Sequence, residues 1–161
     1  MAEAQAKNDF GLEDHPAEAE DTQRDKFLTF RLAEEDYGIA IRHVTEIIGI
    51  QKITEVPDMP NFIKGVINLR GKVIPVMDVR ARFKLASREY DERTCIVVVN
   101  VDDRATGLVV DRVNEVADIP GEQVEPAPAG GKGASSSFIL GLGKIGDTVK
   151  ILLDVNRLLY Q

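Results

Sequence analysis

From residue 26 onward the chain alternates short β-branched and aromatic runs with Gly, Pro, Asn and Asp. The runs are FLTFRL (27–32), DYGIAI (36–41), EIIGI (46–50), FIKGVINL (62–69), KVIPVMDV (72–79), TCIVVVNV (94–101), ATGLVVD (105–111), EVADI (115–119), SSFILGL (136–142) and TVKILLDV (148–155). Stretches of this length bounded by turn formers read as strands, and ten in succession predict an all-β sandwich or barrel. Short helices are expected at IRHVTE (41–46), DVRARF (78–83) and DVNRLLY (154–160), with Asp78 and Asp154 placed to act as N-caps.

The pattern repeats. At a shift of 69, YGIAIRHVTEI (37–47) overlies TGLVVDRVNEV (106–116), matching Gly38 with Gly107, Val44 with Val113 and Glu46 with Glu115. The same shift pairs Phe27–Phe30 with Ile96–Val99 and Pro57 with Pro126. Beyond the insert APAGGKGASSS (127–137) the shift becomes 76, and VIPVMDVR (73–80) meets VKILLDVN (149–156). A repeat of about 70 residues is too long for a solenoid unit and suits a small barrel, so two similar five-stranded barrels are predicted, over 26–88 and 89–161. Side-by-side barrels leave a crevice between them, where binding is expected.

Charge sharpens this division. Residues 1–25 hold eight acids and two bases with only Phe10 and Leu12 as large apolar residues, and they read as a disordered acidic tail. Most of the net charge of −7 resides there; residues 26–161 carry nineteen acids and eighteen bases, which argues against a nucleic-acid binder. No apolar run approaches the roughly 20 residues of a membrane span, so a soluble protein of the reducing cytoplasm is expected. Cys95, the one cysteine, lies in the apolar run CIVVV and reads as a small buried hydrophobe rather than a reactive thiol.

Catalytic chemistry is missing from the sequence. His15 lies in the tail, and His43 stands beside Arg42 in IRHVTEI, where a solvated or capping role accounts for it. No nucleophile with a base, paired carboxylates or metal-ligand cluster is apparent, so neither an enzyme nor a metal or cofactor protein is expected. GLGKIG (141–146) has the spacing of a dinucleotide fingerprint, but a strand pattern, DTVKILL, follows it where that fingerprint needs a helix; glycines in a hairpin are expected instead. Ser135–Ser137 read as solvated linker.

The most distinctive segment is IKGVINLRGKVIPVMDVRARF (63–83), in which Gly65 and Gly71 flank Arg70. Glycine suits a sharp turn or close approach, and arginine a two-pronged grip on a carboxylate. In this segment, in YGIAIRHVTEII, in VPDMPNFIKGVINLRGKVIPVMDVR and in GLVVDRVNEV, the chain resembles the CheW family of chemotaxis coupling proteins, from about Lys26 to Leu159. The resemblance implies two SH3-like barrel subdomains, no cofactor, and a non-catalytic adaptor. Its implied partners are the regulatory domain of a CheA-type histidine kinase and the cytoplasmic tip of a methyl-accepting chemoreceptor. The chain has no room for the additional parts of CheA or CheV, so the stand-alone adaptor, monomeric when free and recruited from the cytoplasm to receptor arrays, is implied.

Residue by residue, the resemblance assigns Ile41, Val44, Cys95, Ile96, Val113 and Val116 to a receptor-binding groove between the barrels. It makes Glu46 and Arg70 a salt-bridged pair that positions the groove, and it puts Gly65, Asn68, Leu69 and Gly71 in a loop facing the kinase. The cationic stretch 64–88, seven Lys or Arg against one Asp, flanks that loop. Cys95, where the family more often has valine, and the long acidic tail depart from the common pattern. A double-barrel protein that binds a small molecule in an enclosed polar cavity is the alternative.

Overall fold

The computed structural model describes residues 23–128 and 137–160. The expected acidic tail, apart from its last three residues, and most of the insert lie outside them. Eleven strands form two sheets: β1 (Lys26–Leu32), β2 (Glu35–Ala40), β3 (Val44–Gly49), β4 (Ile63–Leu69), β5 (Lys72–Asp78), β6 (Cys95–Val101), β7 (Arg104–Val110), β8 (Arg112–Asp118), β9 (Val124–Glu125), β10 (Ile139–Ile145) and β11 (Thr148–Leu153). The α-helices lying wholly within the described residues are α1 (Val79–Arg82) and α2 (Val155–Tyr160). Asp78 accepts hydrogen bonds from the Arg80 and Ala81 amides and Asp154 from the Arg157 amide, so both predicted caps are made. The helix expected over 41–46 is a single 3-10 turn, Ile41–His43, because from Val44 the chain pairs with β6.

The sheets run β3-β6-β7-β5-β4 and β9-β10-β11-β2-β1-β8. In each, the two edge strands follow one another in sequence, and the linking chain closes the ring: Thr54, beyond β3, bridges Val66 on β4, and β9, just after β8, pairs with β10. The duplication is therefore real but intertwined. Hairpin β1–β2 of the first repeat belongs to the second repeat's sheet, and hairpin β6–β7 of the second belongs to the first's. The parallel contacts that join lender to host are Val76–Gly107 and its counterpart Leu152–Gly38. Each sheet thus draws strands from both sides of residue 88.

These lent hairpins face each other at the centre of the molecule. In β6, Val97, Val99 and Val101 enter the central core while Ile96 and Val98 fill the interior of the five-stranded barrel. In β1, Leu28, Phe30 and Leu32 enter the central core and Phe27 faces the other barrel. Strands buried on both faces read as nearly continuous apolar runs, which explains CIVVV.

One side of this inter-barrel core is sealed. Phe30, Tyr37, Phe83 and Phe138 stack in a chain with centroids 6.1, 5.5 and 5.9 Å apart. Arg82 of α1 lies 4.4 Å from the Phe62 ring and 4.5 Å from its repeat counterpart Phe138, and its Nε donates to the Leu158 carbonyl at 3.0 Å. Helices α1 and α2 cover that side; among the described residues no helix covers the other, along β3 and β8.

Candidate functional site: the open face between the barrels

The open face is built from equivalent strands of the two repeats. Val44 lies opposite Val99 across a bulge in the β3–β6 ladder, and Val113 lies opposite Phe30 across a bulge in the β1–β8 ladder. The extra residue at each bulge turns the edge strand so that its valine packs against the central core. Ile41, Val44, Cys95 and Val113 are all half-buried and all touch that core. Further along the same edge strands, the counterparts Ile47 and Val116 are 44% and 51% exposed. The result is an apolar trough whose floor is the core of the molecule.

Ile96 takes no part in this surface. It is fully buried and points into the five-stranded barrel, since successive strand residues face opposite sides and Cys95 occupies the trough side. Ile96 supports the trough from behind. Ile47 belongs to the exposed apolar strip although sequence reasoning passed over it; its match to Val116 at the shift of 69 was the available signal.

Glu46 and Arg70 meet: Arg70 Nη2 donates to Glu46 Oε2. Their side chains are 31% and 68% exposed, so this is a surface pair whose worth is under ~1 kcal/mol. It ties the β4–β5 turn to edge strand β3. In that turn Arg70 and Gly71 both have positive φ, 53° and 89°, the signature of a two-residue hairpin loop, and Asn68 Oδ1 accepts the Gly71 amide at 2.8 Å. Leu69 packs against the barrel interior. Gly65 lies away from the turn, at a bulge with φ 149°, where a Cβ would sit 2.0 Å from the Thr54 carbonyl oxygen. Its counterpart Gly141 also sits at a bulge, crossed by Glu125, so GLGKIG is strand and turn with no helix behind it.

Charge concentrates beside the trough. Arg80 grips Asp111 with Nε and Nη2 at 2.8 and 2.9 Å, and Arg88 and the Ala33 amide also donate to Asp111. Burial works to raise the Asp111 pKa, but these hydrogen bonds and the two arginine charges outweigh it and hold it below the usual range. On the other side of β1, Asp36 accepts from Lys150, Arg31 and Asn114; burial again opposes, and the pKa falls to about 2. Neither carboxylate can serve as a general base or acid near neutrality. Burial and the neighbouring Arg42 charge lower the His43 pKa, outweighing the opposing effect of Asp154. Among the described residues no group of His, Cys, Asp and Glu could hold a metal ion. The five-stranded barrel is filled by Ile67, Ile74, Val76, Ile96, Val98 and Val109.

Residues 26–161 match the CheW-like domain. The chain belongs to that family. It is 40% identical over 141 residues, 88% of this chain and 85% of the relative, to a protein named chemotaxis protein CheW from Klebsiella aerogenes. It is 33% identical over 135 residues, 84% of this chain and 86% of the relative, to the chemotaxis protein CheW of Bacillus subtilis. Among solved structures, the scaffolding protein TtCheW of Thermoanaerobacter tengcongensis superposes with a TM-score of 0.79 at 36% identity, covering 85% of this chain and 93% of that one. The CheW-family fold, mostly β in two sheets, is thus the fold described above, and membership places the chain among non-catalytic chemotaxis scaffolding proteins. No helix among the described residues is long and apolar enough to cross a membrane.

Proposed function

We propose that this CheW-family chain couples the regulatory domain of a CheA-type histidine kinase to the cytoplasmic tip of a methyl-accepting chemoreceptor. The observation that carries the receptor half is the trough: Ile41, Val44, Cys95 and Val113 are half-buried against one core, with Val116 exposed at the rim and Ile96 behind. An apolar trough between two rigid barrels, left open on one side, fits the apolar face of a helix from a helical hairpin. The kinase meets the first repeat through the β4–β5 turn, Asn68 to Gly71, with Gly65 shaping the strand beneath it. The free protein is a monomer of the cytoplasm that joins membrane-associated receptor arrays through its partners.

The test is a pull-down of a CheA-type kinase and a receptor cytoplasmic fragment by wild type, Val44→Asp and Arg70→Ala, with folding checked by circular dichroism. Wild type should retain both. A charge in the trough should weaken the receptor contact about tenfold or more, and Arg70→Ala should weaken one contact while leaving the fold intact. Retention of neither partner by the wild type would end the coupling reading.

A further inference from the structure

At the Arg31–Arg112 end of the β1–β8 ladder, four arginines surround a crevice of about 120 Å³: Arg31 of β1, Arg112 of β8, and Arg88 and Arg93 from the segment before β6, together with Asp111. Arg31 and Arg112 lie one step along the ladder from Phe30 and Val113, so their side chains leave the opposite face of the β1–β8 pair from the trough. Asp111 is already saturated by Arg80, Arg88 and Ala33, and Arg31 engages Asp36. The guanidinium groups of Arg93 and Arg112 have no carboxylate partner among the described residues, and Arg112 Nε is buried without an acceptor there.

Six cations, Arg31, Arg80, Arg88, Arg93, Arg112 and Lys150, thus stand against four carboxylates, Asp36, Asp78, Asp91 and Asp111. That excess lies in a region, 26–161, whose charges nearly cancel as a whole. Convergent guanidinium groups with free donors favour carboxylate oxygens, and a buried N–H without an acceptor raises the gain from supplying one.

We propose that the crevice is a carboxylate-binding site whose occupant is this chain's own acidic segment, residues 1–22. That segment has seven acids and one base, and it leads into β1, the strand that carries Arg31. The Asp25 carbonyl accepts the Ile119 amide at 2.7 Å, so the chain enters beside the Lys26–Asp118 end of the β1–β8 ladder. The Arg31–Arg112 pair is at the opposite end, five residue steps or ~17 Å away. Twenty-two residues span up to ~75 Å when extended, so the reach is ample. Tethering raises the local carboxylate concentration to the millimolar range, enough for individually weak ion pairs to be populated at low salt and lost at high salt.

The test uses the full chain and no partner protein, so it stands or falls apart from the coupling function. A nitroxide on Ala17→Cys, in a Cys95→Ala background, should broaden the amide signals of Arg93, Arg112 and Val113 in dilute solution at low salt. Mixing labelled and spin-tagged chains separately detects contacts between molecules. The broadening should vanish in strong salt, in Arg93→Gln, and when Glu13, Asp14, Glu18, Glu20 and Asp21 are replaced by Gln or Asn. Inorganic phosphate, used as an anion probe, should bind that neutralised chain about threefold or more tightly than the wild type. Uniform broadening, broadening that survives neutralisation, or equal phosphate affinity in the two chains would overturn the assignment of the segment as occupant. Failure of phosphate to shift the crevice signals in the neutralised chain would overturn the site itself.

Discussion

Two arginines at either end of β5, Arg70 and Arg80, carry very different weight. Arg80 and Asp111 are 13% and 9% exposed, whereas Arg70 is on the surface. Arg80→Ala would leave a buried carboxylate with only Arg88 and the Ala33 amide, and should cost about 3–4 kcal/mol; Arg70→Ala should cost under ~1 kcal/mol. Urea denaturation of the two variants measures both, and similar losses would contradict the geometry. Asp36 gives a pH signature. Its pKa falls from the ordinary 3.8 to about 2 in the folded chain, so its contribution of about 2 kcal/mol is fully present above the unfolded value. It disappears as pH drops through 4 toward 2. Asp36→Asn should be less stable than wild type at pH 6 and converge with it near pH 2, followed by the urea midpoint. Lys150 occupies the place that Ile74 holds in the first repeat, so an ion pair has replaced aliphatic packing in one barrel alone. The sequence shift of 76 aligns the two residues, but no alternation of hydrophobicity announces that a lysine points inward, and the Asp36 and Asp111 networks were illegible for that reason.

At the scale of elements, the turn and bulge residues decide register. Gly65→Ala places a Cβ against the Thr54 carbonyl at a left-handed φ, where the crossing backbone has no room to yield. Loss of more than ~3 kcal/mol is expected. Gly71→Ala meets nothing within 4 Å and bears only the backbone penalty of about 1–2 kcal/mol at φ 89°. Comparing thermal midpoints of the two variants checks the ordering. The strands themselves were legible because the period of two is strong, and both N-caps were legible because Asp precedes a short apolar run at each. IRHVTE was not: Ile41 and Val44 are spaced as on a helix, yet pairing of Val44 with Val99 decides the outcome. Ile96 shows the sharpest limit. One residue from Cys95, it carries the same apolar character, but the pleat sends it to the opposite face, and a run apolar on both faces does not reveal which side is the trough.

Across the whole molecule, sequence similarity between the repeats exposed the duplication and concealed the exchange of hairpins. β1–β2 and β6–β7 match each other, so either could complete either sheet, and the pattern alone does not choose. The exchange has a mechanical consequence. Because the central core contains Leu28, Phe30 and Ile39 from one lent hairpin and Val97, Val99 and Leu108 from the other, neither sheet can lose its guest without opening that core. The two barrels should therefore unfold as one cooperative unit. Ile96→Ala, which hollows only the five-stranded barrel, should cost about 2–4 kcal/mol. Hydrogen exchange under conditions that favour global opening should then show the same loss of protection in β10 and β11 as in β6 and β7. Loss confined to β3–β7 would mean that the barrels are independent and that the shared core transmits little. Equal loss would mean that the trough sits on a single rigid body, so that a partner docked between the barrels stabilises both at once.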